Sequence, residues 1–266
     1  MEKMNPDWWK TLFDETYLIT DGRSVCDEEV TSREVDFLEQ VQGIEKSSRI
    51  LDICGGHGRH SLELSRRGFR DVTVLDYSSF LIDFGRESAR REGLNTKFIQ
   101  SDARDTGLPD QSYRFIIMAN SFGYFVDENE DGKIVREAFR LLMPGGTLLL
   151  DLPNREHVLG NFSPQSWHEA NEEILVCRQR TLDNDIIFGR EMVISKIKGL
   201  IRDEKYFIRL YSPEKISGLL RSVGFSSIEI QKDFISHKEK GDYGCMTNRM
   251  IVIAQRHSAS STLRRL

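Results

Sequence analysis

Arg49-Ile50-Leu51-Asp52-Ile53-Cys54-Gly55-Gly56-His57-Gly58-Arg59-His60 is the stretch that decides the fold. An apolar run ends in an acid, and a glycine-rich turn follows. Ser61-Leu62-Glu63-Leu64-Ser65-Arg66-Arg67-Gly68 then reads as a helix closed by glycine. Strand, tight turn and helix open a nucleotide-binding α/β domain, whose turn amides and helix N-terminus face the ligand. Gly56 and Gly58 supply two positions of the dinucleotide pattern, but Ser61 stands at the third. Asp52, beside the turn, would repel a diphosphate and favour a cationic ligand such as the ammonium and sulfonium groups of S-adenosylmethionine. An ordinary strand-to-helix turn with a capping acid is the plain alternative at this point.

Working outward, Val72-Thr73-Val74-Leu75-Asp76 is a second apolar strand ending in an acid, 24 residues beyond Asp52. That is close to the spacing of the ribose-binding acid in nucleotide folds. Phe98-Ile99-Gln100-Ser101-Asp102-Ala103 ends a third strand the same way. Three acids at successive strand ends would line the carboxyl edge of a parallel sheet, where such sheets bind ligands. Phe80 to Arg91 reads as a helix and Tyr113 to Asn120 as a fourth strand, apolar enough to be covered on both faces. Ile134 to Leu142 is a helix stopped by Pro144-Gly145-Gly146, and Thr147 to Asp151 is a fifth strand.

With these motifs in view, the chain resembles class I S-adenosylmethionine-dependent methyltransferases. The resemblance spans roughly Leu12 to Gln255 and rests on Asp-Ile-Cys-Gly-Gly-His-Gly at 52–58, Leu75-Asp76, Ser101-Asp102-Ala103 and Met143-Pro144-Gly145-Gly146. More narrowly it is similar to a bacterial small-molecule-type subgroup, through Gly-Arg-His at 58–60, Ser-Phe-Gly-Tyr-Phe at 121–125 and Asp-Leu-Pro-Asn-Arg-Glu at 151–156. It departs where Cys54 replaces the usual glycine and His57 a frequent threonine. The small Cys54 is expected to fit with its backbone at negative φ.

The resemblance implies a Rossmann-like, doubly wound, mostly parallel seven-stranded sheet that binds S-adenosyl-L-methionine. It places Asp52, Gly56 and Gly58 around the methionine part, Asp76 at the ribose, Asp102 and Ala103 at the adenine, and Asn120 near the sulfonium or the methionine backbone, with Cys54, Gly55, His60, Tyr77 and Arg104 as further cofactor-binding residues. For the acceptor, Tyr124 follows the fourth strand as an orienting group, and His157 follows the fifth as the best-placed general base. Tyr17, Phe122, Arg155, Tyr206 and Arg209 are expected to bind substrate, an arginine suiting a carboxylate or phosphate. No metal is expected, because His57 and His60 belong to the cofactor turn and the other histidines lack ligand spacing.

Residues 1–45 precede the core. Trp8, Trp9, Leu12, Phe13, Tyr17 and Leu18 fall at helical spacing, Thr20 to Ser24 reads as a turn, and a second helix starts at Asp27 or Thr31. This segment is core packing or a helical lid. Residues 46–152 form the cofactor-binding core. Residues 153–211 break the βαβ rhythm: Ile174–Cys177, Ile186–Phe188, Met192–Ile197 and Lys205–Tyr211 are β-rich, with turns at Asp183-Asn184-Asp185 and Lys198-Gly199. An antiparallel insertion of three or four strands is expected there, walling an acceptor pocket or making a homodimer contact. Residues 212–256 complete the sheet after a helix capped by Ser212 and stopped by Gly224, and 257–266 read as a frayed tail.

Composition bounds the function. With 266 residues, 37 basic against 42 acidic side chains and a net charge of −5, no basic patch advertises nucleic-acid binding. Four scattered cysteines suggest reduced thiols, and no long apolar run suggests a membrane span. A soluble cytoplasmic enzyme methylating oxygen, nitrogen or carbon of a small molecule is the leading reading. An RNA or protein methyltransferase is the runner-up, although Asn120-Ser121-Phe122-Gly123 lacks a base-flipping signature. A catalytically silent adenosyl-ligand-binding protein is the third.

Overall fold

The computed structural model describes residues 4–238 and 243–257; the predicted tail beyond His257 lies outside the described residues. The N-terminal aromatic stripe is not one helix but three short ones: α1 (Trp9–Leu12), α2 (Glu15–Thr20) and α3 (Gly22–Val25). Asp14 causes the break, because its carboxylate accepts from the amides of Thr16 and Tyr17 and starts a new helix. The predicted turn at 20–24 is largely taken up by α3. Helix α4 (Glu28–Gln40) follows with Asp27 as its cap.

The core then alternates as the apolar pattern demands: β1 (Arg49–Ile53), α5 (Arg59–Arg66), β2 (Asp71–Asp76), α6 (Ser79–Glu92), β3 (Lys97–Gln100), β4 (Tyr113–Ala119), α7 (Glu128–Leu141) and β5 (Leu142–Pro153). Met143-Pro144-Gly145-Gly146 do not separate helix from strand; they are the first residues of β5 itself. After a short helix α8 (Arg155–Gly160), strands β6 (Gln165–Glu169), β7 (Ile174–Asp183), β8 (Ile186–Ser195) and β9 (Gly199–Arg209) form a separate antiparallel sheet. Helix α9 (Pro213–Val223), β10 (Phe225–Phe234) and β11 (Arg249–Arg256) complete the main sheet. Ser212 caps α9 and Gly224 ends it at φ 115°.

The seven-stranded sheet has the order β10-β11-β5-β4-β1-β2-β3. Only β11 opposes its neighbours, being antiparallel to both β10 and β5. Val35 and Leu38 of α4 and Leu64 of α5 pack on one face, against Ile50, Phe115, Ile117 and Leu149. Ile134 and Ala138 of α7 and Ile216 and Leu220 of α9 pack on the other, against Leu51, Ile116, Leu148 and Leu150. Each such fully buried aliphatic contributes about 1.5–3 kcal/mol. The chain order reverses between β1 and β4, so the crevice of this doubly wound fold opens at their carboxyl ends.

The smaller sheet corrects the sequence reading in two places. Ile186–Phe188 and Met192–Ile197 belong to one strand, since Gly189-Arg190-Glu191 continues the alternation instead of turning. Gln165–Glu169 adds a strand that its polar composition hides. The hairpin turns stand where expected, with Asn184 at φ 53° and Gly199 at φ 77°.

Candidate functional site

One cavity runs from the carboxyl edge of the main sheet to the inner face of the small sheet, and the N-terminal segment closes it. Asp52, Cys54, Gly55, Gly56, His60, Asp76, Tyr77, Asp102, Ala103 and Asn120 line it at the sheet edge. Trp8, Trp9, Phe13 and Tyr17 line it from the N-terminal helices, and Arg178, Glu191, Arg202 and Tyr206 from the small sheet.

At the edge, each acid is fixed by neighbours close in sequence. Asp52 accepts from the Ser61 hydroxyl on Oδ2 (2.8 Å), while its buried Oδ1 has no partner. Burial pushes its pKa up. A Cβ on Gly55 would stand 2.6 Å from the Asp52 carboxyl carbon, so only glycine leaves the carboxylate room there. Asp76 accepts from the amides of Gly56 and Ser78, both at 2.8 Å, and burial pushes it up to about 6. Asp102 is gripped by Arg104 through Nε (2.9 Å) and Nη2 (2.6 Å). Burial opposes its charge, but Arg104 outweighs it and holds the carboxyl below the usual range.

Cys54 corrects an expectation. Its φ is 56°, in the left-handed region, because the chain must reverse immediately after β1. The Ser121 hydroxyl donates to its carbonyl (3.0 Å) and helps hold that shape. His60 turns toward α4, its Nε2 2.8 Å from Glu34, which also pairs with Arg59. Burial works against the Glu34 charge, yet Arg59 and His60 keep the carboxyl well below its ordinary value. His57 lines the cavity as a neutral ring, lowered to about 4 by burial and then by Arg59.

Several predicted residues sit elsewhere. Gly58 does not line the cavity; its glycine is needed because a Cβ would stand 2.9 Å from Phe98 and Val74. Arg104 lies behind Asp102, stacked 4.8 Å from the Phe125 ring centroid. His157 is in α8, outside the cavity, and Arg155 is spent on Asp185 at 2.6 Å. Arg209 also points away: it donates to the Val126 carbonyl (2.8 Å) and lies 3.6 Å from Asp131. Tyr206 and Arg209 are an odd number of residues apart on β9, so the pleat sends them to opposite faces. Phe122 and Tyr17 do line the cavity. Tyr124 lines it too, but its hydroxyl donates to the Asn120 carbonyl at 2.7 Å, and burial pushes its pKa far up.

These acids and the unmatched Asp52 oxygen fit a cationic adenosyl ligand. Residues 50–146 match a family model described as a methyltransferase domain. The chain is a class I S-adenosylmethionine-dependent methyltransferase. Its cofactor is S-adenosyl-L-methionine. This methyltransferase is 28% identical over 208 residues to a glycine/sarcosine N-methyltransferase of Halorhodospira halochloris, covering 76% of this chain and 74% of that one. It is 33% identical over 119 residues to a ubiquinone/menaquinone biosynthesis C-methyltransferase, UbiE, of Azotobacter vinelandii, covering 43% of this chain and 46% of the relative. A solved S-adenosylmethionine-dependent methyltransferase from Clostridium acetobutylicum shares the fold, with TM-score 0.70, 15% identity and coverage of 91% of this chain and 97% of that one.

Of the far wall of the methyltransferase, sequence reasoning found Tyr206 but missed Arg178, Glu191 and Arg202. Arg178 and Glu191 are cross-strand partners on β7 and β8, joined at 2.7 Å, and Arg178 also reaches Asp21 of the N-terminal segment at 2.8 Å. Tyr206 lies across Gly189, where a Cβ would fall 2.1 Å from its ring. The available signal was alternation: Val176, Arg178 and Arg180 share one face of β7, and polar residues on an inward face mark a lined space.

Proposed function

We propose that this methyltransferase acts on a small molecule enclosed between the carboxyl edge, the N-terminal helices and the small sheet. The supporting observation is the continuity of the cavity: the same space touches Asp52, Asp76 and Asp102 at one end and Arg178, Glu191, Arg202 and Tyr206 at the other. A relative named for glycine and sarcosine N-methylation and another named for C-methylation favour a small acceptor.

Asp52 receives the cofactor's ammonium on its unmatched oxygen. Asp76 accepts from the ribose hydroxyls. Asp102, kept ionised by Arg104, accepts from the adenine amino group beside Ala103. The bound cofactor supplies an activated methyl group on a cationic sulfur. The protein's own part is position and dryness. Trp8 packs on Tyr124 (centroids 5.4 Å) and Phe13 stacks on it (6.0 Å), which closes the acceptor end to water. Tyr124 is a wall and not a base, since its proton is held on the Asn120 carbonyl. His157 takes no part. The N-terminal segment is a lid tied to the small sheet by Arg178–Asp21 and by Arg202, which donates to the Leu12 carbonyl.

The test is to incubate the protein with methyl-labelled cofactor and, in parallel, small-metabolite, RNA and protein fractions of a cell extract. Label is expected in the small-metabolite fraction. Label confined to RNA or protein would favour the macromolecular reading, and cofactor binding without any transfer the silent one.

A further inference from the structure

Among the described residues lining the cavity, three buried side chains carry a polar atom with no partner: Asp52 Oδ1, Trp8 Nε1 and Arg202 Nη1. Buried polar groups are nearly always matched, so each unmatched one asks for a ligand. They sort by type. The unmatched acceptor is at the cofactor end. The two unmatched donors are at the other end, and they are neighbours. Arg202 donates through Nη2 to the Leu12 carbonyl, and the Leu12 amide donates to the Trp8 carbonyl (3.2 Å), so one turn of α1 joins them. The Trp8 ring also lies 6.3 Å from Tyr206, which shares a face of β9 with Arg202. Trp8 is 3% exposed and the Arg202 side chain 8%, so both donors are shielded from bulk water.

We propose that the methyl acceptor carries a carboxylate, received by the Trp8 indole N–H and the Arg202 guanidinium; this rests on reading the cavity as the transfer chamber. The charges favour an anion there. The nearest acid to Arg202 is Asp14 at 3.3 Å, itself 47% exposed and therefore screened. Asp21 and Glu191 are both taken by Arg178. That pairing also argues against a phosphate dianion, because Arg178 is already neutralised by Asp21 and Glu191. Two N–H donors bordering α1 suit the two oxygens of a planar carboxylate. The contact would hold the acceptor's far end while the rest of the molecule reaches the methyl group. It would also complete the lid, because both donors border helix α1.

The experiment uses full-length protein saturated with S-adenosylhomocysteine. Ligand-observed NMR compares butyrate with butyramide and benzoate with benzamide, and adds inorganic phosphate as a separate arm. At least one carboxylate is expected to bind better than its amide by about tenfold, the worth of one charge-assisted bond. Arg202→Met should remove that preference. Trp8→Phe keeps a ring and loses the N–H, and should cut the carboxylate-to-amide ratio by about threefold, as for a neutral bond. A merely structural role would weaken acid and amide alike and leave the ratio unchanged. Should Arg202→Met fail to fold, the Trp8→Phe ratio carries the test. Equal binding of acids and amides, no binding of either, ratios unmoved by both substitutions, or phosphate bound in preference to carboxylates would each overturn the proposal. Failure of wild-type protein to bind S-adenosylhomocysteine at all would instead strike the reading of the cavity itself.

Discussion

The two ends of the cavity are built by opposite means. At the cofactor end each acid meets its partners nearer in the chain: Asp52 with Ser61, Asp76 with Ser78 and Gly56, and Asp102 with Arg104, at separations of 9, 2, 20 and 2 residues. At the acceptor end the partners are remote: Arg178 with Asp21 and Arg202 with Leu12, at separations of 157 and 190. Short-range geometry follows from one strand, one turn and one helix, so any chain with that local pattern can build it. Long-range geometry exists only once two separately folded layers meet. The cofactor end is therefore set by a motif, and the acceptor end by packing between the small sheet and the N-terminal helices.

The largest test of that contrast removes one layer. Deleting residues 1–25 should lower turnover by at least about a hundredfold, since an acceptor that is no longer held or shielded loses the benefit of positioning. Hydrogen exchange should show residues 8–20 gaining protection when S-adenosylhomocysteine binds, because a lid is drawn from the less stable parts of a fold. Full turnover of the truncated chain, together with unchanged protection, would return the aromatic stripe to ordinary core packing.

Next comes Asp76. Asp76→Ala should weaken S-adenosylhomocysteine at least about tenfold by calorimetry, from the loss of charge-assisted bonds to the ribose. Its raised pKa of about 6 sets the pH dependence. The ionised carboxylate is the accepting form, so affinity should be level above pH 6 and fall as pH drops through it, by up to about tenfold per unit. Asp76→Ala should lose that slope. A wild-type profile flat down to pH 5 would place the ribose contact on another group.

Gly189→Ala should act on the acceptor end alone. The added methyl collides with the Tyr206 ring, which must rotate off β8. Acceptor kcat/KM should fall by roughly tenfold through misplacement, with cofactor affinity unchanged. An equal loss at both ends would mean that the two are less separable than their contacts indicate. The smallest effect belongs to His157→Gln, whose position outside the cavity predicts turnover within about twofold of wild type at every pH tested. A lost limb in the pH–rate profile would restore it as a base.

Legibility in the sequence follows the same division. The glycine turn, the three strand-end acids and the α9 cap at Ser212 were readable because each is a local solution to an unpaired backbone group or a reversing chain. Cys54 was misjudged because its φ depends on the path from β1 into the turn, which residue size does not reveal. His157 and Arg155 were placed by their nearness to the end of β5, but α8 carries both away from the crevice. Arg209 was grouped with Tyr206 without the pleat's alternation, which puts it against Asp131 and the Val126 carbonyl.

The amino-acid sequence by itself determined the doubly wound sheet and its carboxyl edge, because hydrophobic periodicity and turn chemistry act over a few residues; the adenosyl ligand came with the family resemblance that the turn and the strand-end acids carry. Only the tertiary structure decided which side chains line the far wall of the cavity. Trp8, Arg178, Glu191 and Arg202 meet around one space through the docking of two layers, and the pattern of either layer alone does not contain that meeting.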